Sequence, residues 1–585
     1  MNKLRPRYTV LCAFAALLVA VPALFAQVPL EPAQMPSNTG FYFIWRGQPS
    51  AELRKSNSIA ALWDDPGFSP VRSSITQALL KNSQEKSTGP RLTREQLEQY
   101  ASLLENPFVL GYLTDPRDKG FQVSAKPPSE KPAAWNGMFF VYNRSGKEAI
   151  LSKAVLALRT NEKDVPQLSQ VTIAGTSALK VVRKDSTTYW IEDGKYAISA
   201  NEEAVAKEIL GRLKGGASGT RSLTETANYK EAQSLLGSGQ VEFFLRVPEL
   251  KSLASNATAG PIQVRPILDA MKLDAIHAIA GRVLMQGAKT RIQAAAFGDT
   301  APGTLFDIWG PGSTAPNSLN VIPADAVSYS DTQINLLGVY ELLKRLAAAI
   351  MPATGGNNVN MLEMMAQSKL GQPLGTAIAL FTGEFTTLQT SRSLDGRIQL
   401  YLVGIHNKPD TLKLLHTVLG ERINSERKEG DVTYLKISTG GTQTAAGSAG
   451  WDFYHVAATS DYLIAAPRLE TVREFISKRP QIATANLSTA PGYQSARAQF
   501  PEKINGFGYF DFRKVDWPAL KARVIAEAAK NPPSKRVPGA AKSTTSVAPS
   551  WMLELNPEVF ARHLHSTASA SWKDAQGLHF DEWIE

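Results

Sequence analysis

Few groups in this chain have the type and spacing to do chemistry. The nearest approach to a metal site is His563-Leu564-His565. Alternate residues of a strand share a face, so two imidazoles placed this way could chelate one ion. A third ligand is missing. His579 falls on the partner strand of a predicted hairpin, but a turn at Asp574–Gly577 sets it opposite Trp572 and away from His565. His277 stands at a corresponding place earlier in the chain with no second histidine beside it. These residues predict polar side chains at a strand start and no metal.

Other catalytic patterns fail on spacing. Ser177-Ala178-Leu179-Lys180 has the Ser-x-x-Lys form, but it lies on a predicted strand and no Lys-Thr-Gly accompanies it. No Gly-x-Ser-x-Gly elbow occurs, since Gly447-Ser448-Ala449-Gly450 and Gly216-Ala217-Ser218-Gly219 are mis-spaced. Ser145-Gly146-Lys147 lacks the earlier glycine of a phosphate-cradling loop, and there is no His-Glu-x-x-His or dinucleotide fingerprint. Asp64-Asp65 precedes Pro66-Gly67, where paired aspartates read as a helix-ending turn. Two carboxylates converging from separate strands, as in a glycosidase, leave no local signature and stay open. The residues therefore name no catalytic side chain and no cofactor.

The elements that would position any such group begin after an export signal. Lys3, Arg5 and Arg7 precede an apolar run from Val10 to Ala26 that ends in small residues. This is the pattern of a Sec-type signal peptide over residues 1–26, with cleavage between Ala26 and Gln27. Val21-Pro22-Ala23 offers an earlier cut, and an uncleaved N-terminal anchor is the alternative, since a spanning helix needs about 17–25 residues. Pro22 suits a cleavage region better than a helix interior. The expected location is periplasmic or secreted, with no membrane span after cleavage. The single cysteine, Cys12, lies inside the signal, so the mature chain has no disulfide, thiolate ligand or thiol nucleophile.

Composition is that of a globular protein: 585 residues, 43% hydrophobic and 20% charged. The net charge is +10, and the signal residues Lys3, Arg5 and Arg7 supply part of it. The cluster Lys530, Lys535, Arg536, Lys542 reads as a solvated loop. A basic balance suits acidic partners, but no nucleic-acid module is present, so nucleic acid is not an expected partner.

The chain repeats itself. YWIEDGKYAISA from Tyr189 matches HVAATSDYLIAA from His455, each two short strands around a polar turn. NEEAVAKEILGRL from Asn201 then aligns without a gap to PRLETVREFISKR from Pro467. Leu223 and Tyr229 correspond to Leu487 and Tyr493, and Pro36 and Tyr42 to Pro323 and Tyr329. Each copy ends in a hairpin, Ala275 to Phe297 and His563 to Trp583. The expected fold is α+β, two tandem copies of a unit with a mostly antiparallel sheet and helices on one face. Its order is ferredoxin-like, split βαβ, plus a terminal hairpin. Boundaries are a Pro-rich leader at 27–37, repeat 1 at 38–298, a Gly/Pro linker at 299–317 and repeat 2 at 318–585. Low-complexity loops at 440–450 and 531–550 are predicted to be mobile. Phe41-Tyr42-Phe43-Ile44-Trp45 is apolar on both faces and reads as a central buried strand.

The motif Ile322-Pro323-Ala324-Asp325-Ala326-Val327-Ser328-Tyr329, with strand pairs such as DGKYAISA and SDYLIAA before a helix, resembles a family of exported bacterial proteins, a domain of unknown function. The resemblance implies duplicated α+β units and an envelope location, and it carries no catalytic residue across. The first copy departs from the motif, keeping only Pro36 and Tyr42. Together these features lead us to expect a non-catalytic envelope protein that binds or scaffolds an envelope protein or polymer. The alternatives are an Asp/Glu-dependent hydrolase of envelope polysaccharide and a self-assembling envelope subunit.

Overall fold

A computed structural model describes residues 28–85, 93–114, 136–159, 167–183, 186–216, 221–237, 239–248, 264–350, 355–390, 392, 394, 399–438, 453–482, 484–530 and 556–585. The expected signal peptide with its Ala26–Gln27 cut and the low-complexity loops at 440–450 and 531–550 lie outside the described residues.

Two compact units form. The N-terminal unit holds β1 (Thr39–Trp45), β2 (Phe108–Leu113), β3 (Met138–Asn143), β4 (Gln167–Ile173), β5 (Thr176–Arg183), β6 (Ser186–Asp193), β7 (Tyr196–Ala200), β8 (Val241–Arg246), β9 (Ile276–Gln286) and β10 (Lys289–Gly298). The C-terminal unit holds β11 (Ser328–Gln333), β12 (Phe381–Gln389), β13 (Leu400–Ile405), β14 (Ile423–Glu429), β15 (Val432–Ser438), β16 (Phe453–Ala458), β17 (Tyr462–Ala466), β18 (Gly506–Asp511), β19 (Ser566–Lys573) and β20 (Gly577–Ile584). It also includes the helix Val264–Ala270, which precedes β9 in sequence.

Strand pairing within the first unit runs β4-β5-β6-β7-β3-β2-β1-β8-β9-β10, every neighbour antiparallel. In the second it runs β14-β15-β16-β17-β13-β12-β11-β18-β19-β20, again antiparallel throughout. The fold is therefore α+β, and both sheets use one order. A four-strand ferredoxin-like sheet would set β8 directly against β3. Here β1 and β2 lie between them, so the compact split βαβ order gives way to a wider sheet. Of these, β1 is the central buried strand expected at residues 41–45, whereas β2 and β12 were not separable in the sequence. Their helical lead-ins, among them Ser69–Glu85 and Leu336–Ile350, carry most of the local pattern.

Helices cover both faces of each sheet, where one face was expected. In the N-terminal unit Tyr42 and Ile44 pack with Val205, Ile209 and Tyr229 from helices Glu203–Leu213 and Ala227–Ala232. Trp45 turns to the other side, against Ala60 of helix Ser58–Asp64. In the C-terminal unit Tyr329 and Ile464 pack with Val472, Phe475 and Tyr493, while Ile405 and Leu463 meet Leu412 and Leu415 of helix Lys408–Leu419. The cause is visible in the strands. A strand apolar on both faces, like β1, stays in water on neither, and each large side chain buried contributes roughly 1.5–3 kcal/mol. Val28, Leu30 and Met35 of the Pro-rich stretch join the same core.

Candidate functional site

Two clefts open in the C-terminal unit, and they share Pro311 and Gln333. The larger, about 460 Å³, is lined by Trp309, Leu336, Ile378 and Phe381, with Asp307, His406 and Lys573 as its charged or titratable members. The smaller, about 390 Å³, is polar: Ser313, Thr314, Asn317, Gln333, Glu384 and Lys503 line it.

Gln333 and Glu384 meet because β11 and β12 pair with Gln333 opposite Glu384 and Asp331 opposite Thr386. Residues two apart on a strand share a face. Glu384 and Thr386 therefore stand beside Gln333 and Asp331 in one polar stripe running inward from the cleft. A register irregularity between Phe381 and Phe385, with Gly383 at φ +83°, sets Glu384 at its position. A Cβ at Gly383 would lie 2.0 Å from the Ile334 carbonyl oxygen, so only glycine fits.

The stripe is buried and rich in acceptors. Glu384 is 4% exposed and Asp331 5%. Glu384 Oε1 accepts the Ser318 N–H at 2.8 Å, and Oε2 lies 3.5 Å from the Tyr462 hydroxyl. Asp331 Oδ1 and Thr386 Oγ1 are buried with no hydrogen-bond partner. Burial pushes the Asp331 carboxyl up to about 7. The Tyr329 hydroxyl works against that shift, the Glu384 charge adds to it, and Arg497 counters it. The Tyr462 hydroxyl is pushed up by burial and then by Glu384. Neither carboxylate makes an ion pair among the described residues. Arg497 donates instead to the carbonyls of Pro501, Glu502 and Thr314.

The matching place in the N-terminal unit is built differently. Glu242 is fully buried on β8. Its Oε1 accepts from the Tyr42 hydroxyl at 2.7 Å and its Oε2 from the Gly237 N–H at 2.7 Å. Arg46 Nη2 stands 3.5 Å away and completes an ion pair, while Arg46 Nη1 holds Glu31 at 2.9 Å. Both Glu242 oxygens are met, and Arg46 bridges Glu242 and Glu31.

Comparison with known proteins adds little. No family model and no curated protein matches the chain. Among solved structures, TP0453, a bacterial (Treponema) protein in its crystal form I, is similar at a TM-score of 0.21 and 7% identity, covering 46% of this chain and 80% of that one. So low a score carries neither fold nor function across.

The side chains singled out in the sequence lie elsewhere. His563 is the last residue of helix Glu558–His563, and His565 sits just ahead of β19. They do not share one strand face, which corrects the expected geometry. The chain was still helical at His563, with the Leu564 N–H bonded to the Phe560 carbonyl. His579 pairs with Trp572 as expected, stacks on it at 5.1 Å and reaches Asp574 at 3.1 Å. His277 approaches Glu231 at 3.2 Å. Ser177 stands on β5 and Lys180 lies 5.7 Å from the Tyr189 ring centroid. Asp65 accepts the Gly67 N–H and Asp64 pairs with Arg54, both turn and surface roles. No group of three or more His, Cys, Asp or Glu suited to a metal occurs among the described residues.

Asp331, Gln333 and Glu384 escaped the sequence search. A signal was present: the aligned strands read Tyr42-x-Ile44-x-Arg46 and Tyr329-x-Asp331-x-Gln333. An apolar position turns acidic as its neighbouring cation disappears.

Proposed function

We propose that this chain is an exported, non-catalytic protein of the bacterial envelope that binds a small ligand in its C-terminal unit. The observation that carries the reading is the buried pair Asp331 and Glu384, with no ion-pair partner among the described residues, at and behind a cleft of about 390 Å³. A buried charge left unpaired is costly, and a fold keeps one where something else completes it. The export signal and the resemblance to exported proteins with duplicated α+β units support the envelope location. The common strand order, with Pro36 bridging to Ser222 as Pro323 bridges to Asn486, supports duplication of one ancestral unit. Among the described residues no helix is long and apolar enough to cross a membrane.

Two neighbouring carboxylates, one pushed up to about 7, also suit acid–base hydrolysis. Binding is the better reading, because the unpartnered Asp331 oxygen is closed to solvent and a substrate bond does not reach it. The test is a thermal-shift screen of the mature protein with peptidoglycan fragments, oligosaccharides, lipids, nucleotides and divalent metals. A ligand at about 100 times its Kd adds about 2.7 kcal/mol, and Glu384→Gln should erase that shift. Turnover of any of these compounds, lost on substituting Asp331 or Glu384, would overturn the non-catalytic reading.

A further inference from the structure

The two units can be matched position by position. Pro36 and Pro323 make the same bridge, and the N–H of Leu223 bonds to Met35 as that of Leu487 bonds to Ile322, both at 2.8 Å. The N–H of Arg46 bonds to the Gln240 carbonyl, and that of Gln333 to the Asn505 carbonyl. Arg46 and Gln333 are therefore equivalent positions, as are Ile44 and Asp331. Through the strand register, Val109 corresponds to Thr386 and Pro107 to Glu384.

The N-terminal unit thus forms the same sheet with Ile44, Val109 and Pro107, so the fold does not require the acidic stripe. Where it does bury a carboxylate, Glu242, it supplies Arg46. In the stripe of the C-terminal unit Asp331 and Glu384 are both buried, and Gln333, which lines the cleft, stands where the N-terminal unit has the arginine. At the same cleft Lys503 is exposed and makes no ion pair among the described residues. Among the described residues neither Glu384 on the wall nor Lys503 on the rim is ion-paired.

We propose that this cleft receives a small zwitterion, a free amino acid or short peptide, whose ammonium group sits against Glu384 where Arg46 serves the N-terminal unit, and whose carboxylate meets Lys503. This rests on the binding reading above and gives it a ligand class. An ammonium offers three donors to an acceptor-rich wall, and the amide of Gln333 and hydroxyls of Ser313 and Thr314 suit a peptide bond between the two ends. The volume lies within the range of small-molecule sites. Burial, first, and then the Glu384 charge hold the Asp331 acid up behind the same wall.

The test is calorimetric titration of the mature protein with glycylglycine, N-acetylglycylglycine and glycylglycinamide. Glycylglycine should bind. Removing the ammonium by acetylation should weaken binding at least about 10-fold, and removing the carboxylate about 3-fold, since Lys503 is exposed. Glu384→Gln should match the loss seen on acetylation. Gln333→Arg should supply the missing cation from within, abolish glycylglycine binding and raise the melting temperature by about 2–4 °C. Equal binding of the acetylated peptide, or unchanged binding in the Gln333→Arg protein, would overturn the proposal. If none of the three binds while another compound binds and is lost in Glu384→Gln, the zwitterion is wrong and the binding reading stands. If nothing in either set binds, both fall.

Discussion

At the scale of single residues, Asp331 ties structure to pH. Its folded pKa, about 7, lies above the ordinary carboxylate value. Between about pH 4 and 7 the folded state therefore holds more protons at this site than the unfolded chain. Stability from this group rises as pH falls through that window and is lost as pH climbs past 7. A shift of this size corresponds to roughly 4 kcal/mol. Asp331→Asn should melt higher than the parent at pH 8, with the gap closing toward pH 5, and melts across pH would read it. A pH-independent gap would place the carboxyl outside the titration. Thr386 gives a second prediction. Its hydroxyl is buried without a partner, and Val109 stands at the corresponding position. Thr386→Val should stabilise the protein by about 1 kcal/mol in denaturant unfolding, because a desolvation penalty disappears.

At the scale of elements, the irregularity in β12 decides the site. Gly383 sits at φ +83° against the Ile334 carbonyl and fixes where Glu384 enters the polar stripe. Gly383→Ala adds both left-handed strain and a 2.0 Å clash. It should destabilise the protein by about 2–4 kcal/mol, measured by urea unfolding, and weaken any ligand whose binding depends on Glu384. Much of the element pattern was legible beforehand. The segment 41–45 is the central buried strand expected, and the hairpin register placing His579 opposite Trp572 followed from one turn. The strand β12 was not. Its residues Phe381-Thr382-Gly383-Glu384-Phe385-Thr386 alternate polar groups that the tertiary fold buries.

At the scale of the whole molecule, export is the property to test first. The mature protein should have the mass of residues 27–585, read by intact mass spectrometry of the envelope fraction. A chain beginning at Leu24 would identify the earlier cut, and an intact Met1 terminus the anchor. The Pro-rich leader is part of the packed fold. Leu30 and Met35 are fully buried, and Glu31 holds the Arg46 that balances Glu242. Met35→Ala should therefore cost about 2–5 kcal/mol in chemical unfolding, the range for a large side chain removed from a packed core.

The sequence alone determined the single cysteine, which leaves no intrachain disulfide, the α+β class and the correspondence between Tyr42 and Tyr329 or Tyr229 and Tyr493. These follow from composition and from patterns a few residues long. Only the tertiary structure decided that two inserted strands widen each sheet and that helices cover both faces. Only it gathered Ser313, Asn317, Gln333, Glu384 and Lys503 around one cleft. Those five come from segments more than 100 residues apart at their extremes. Their charges interact through space, so the imbalance that marks the site has no counterpart in local spacing.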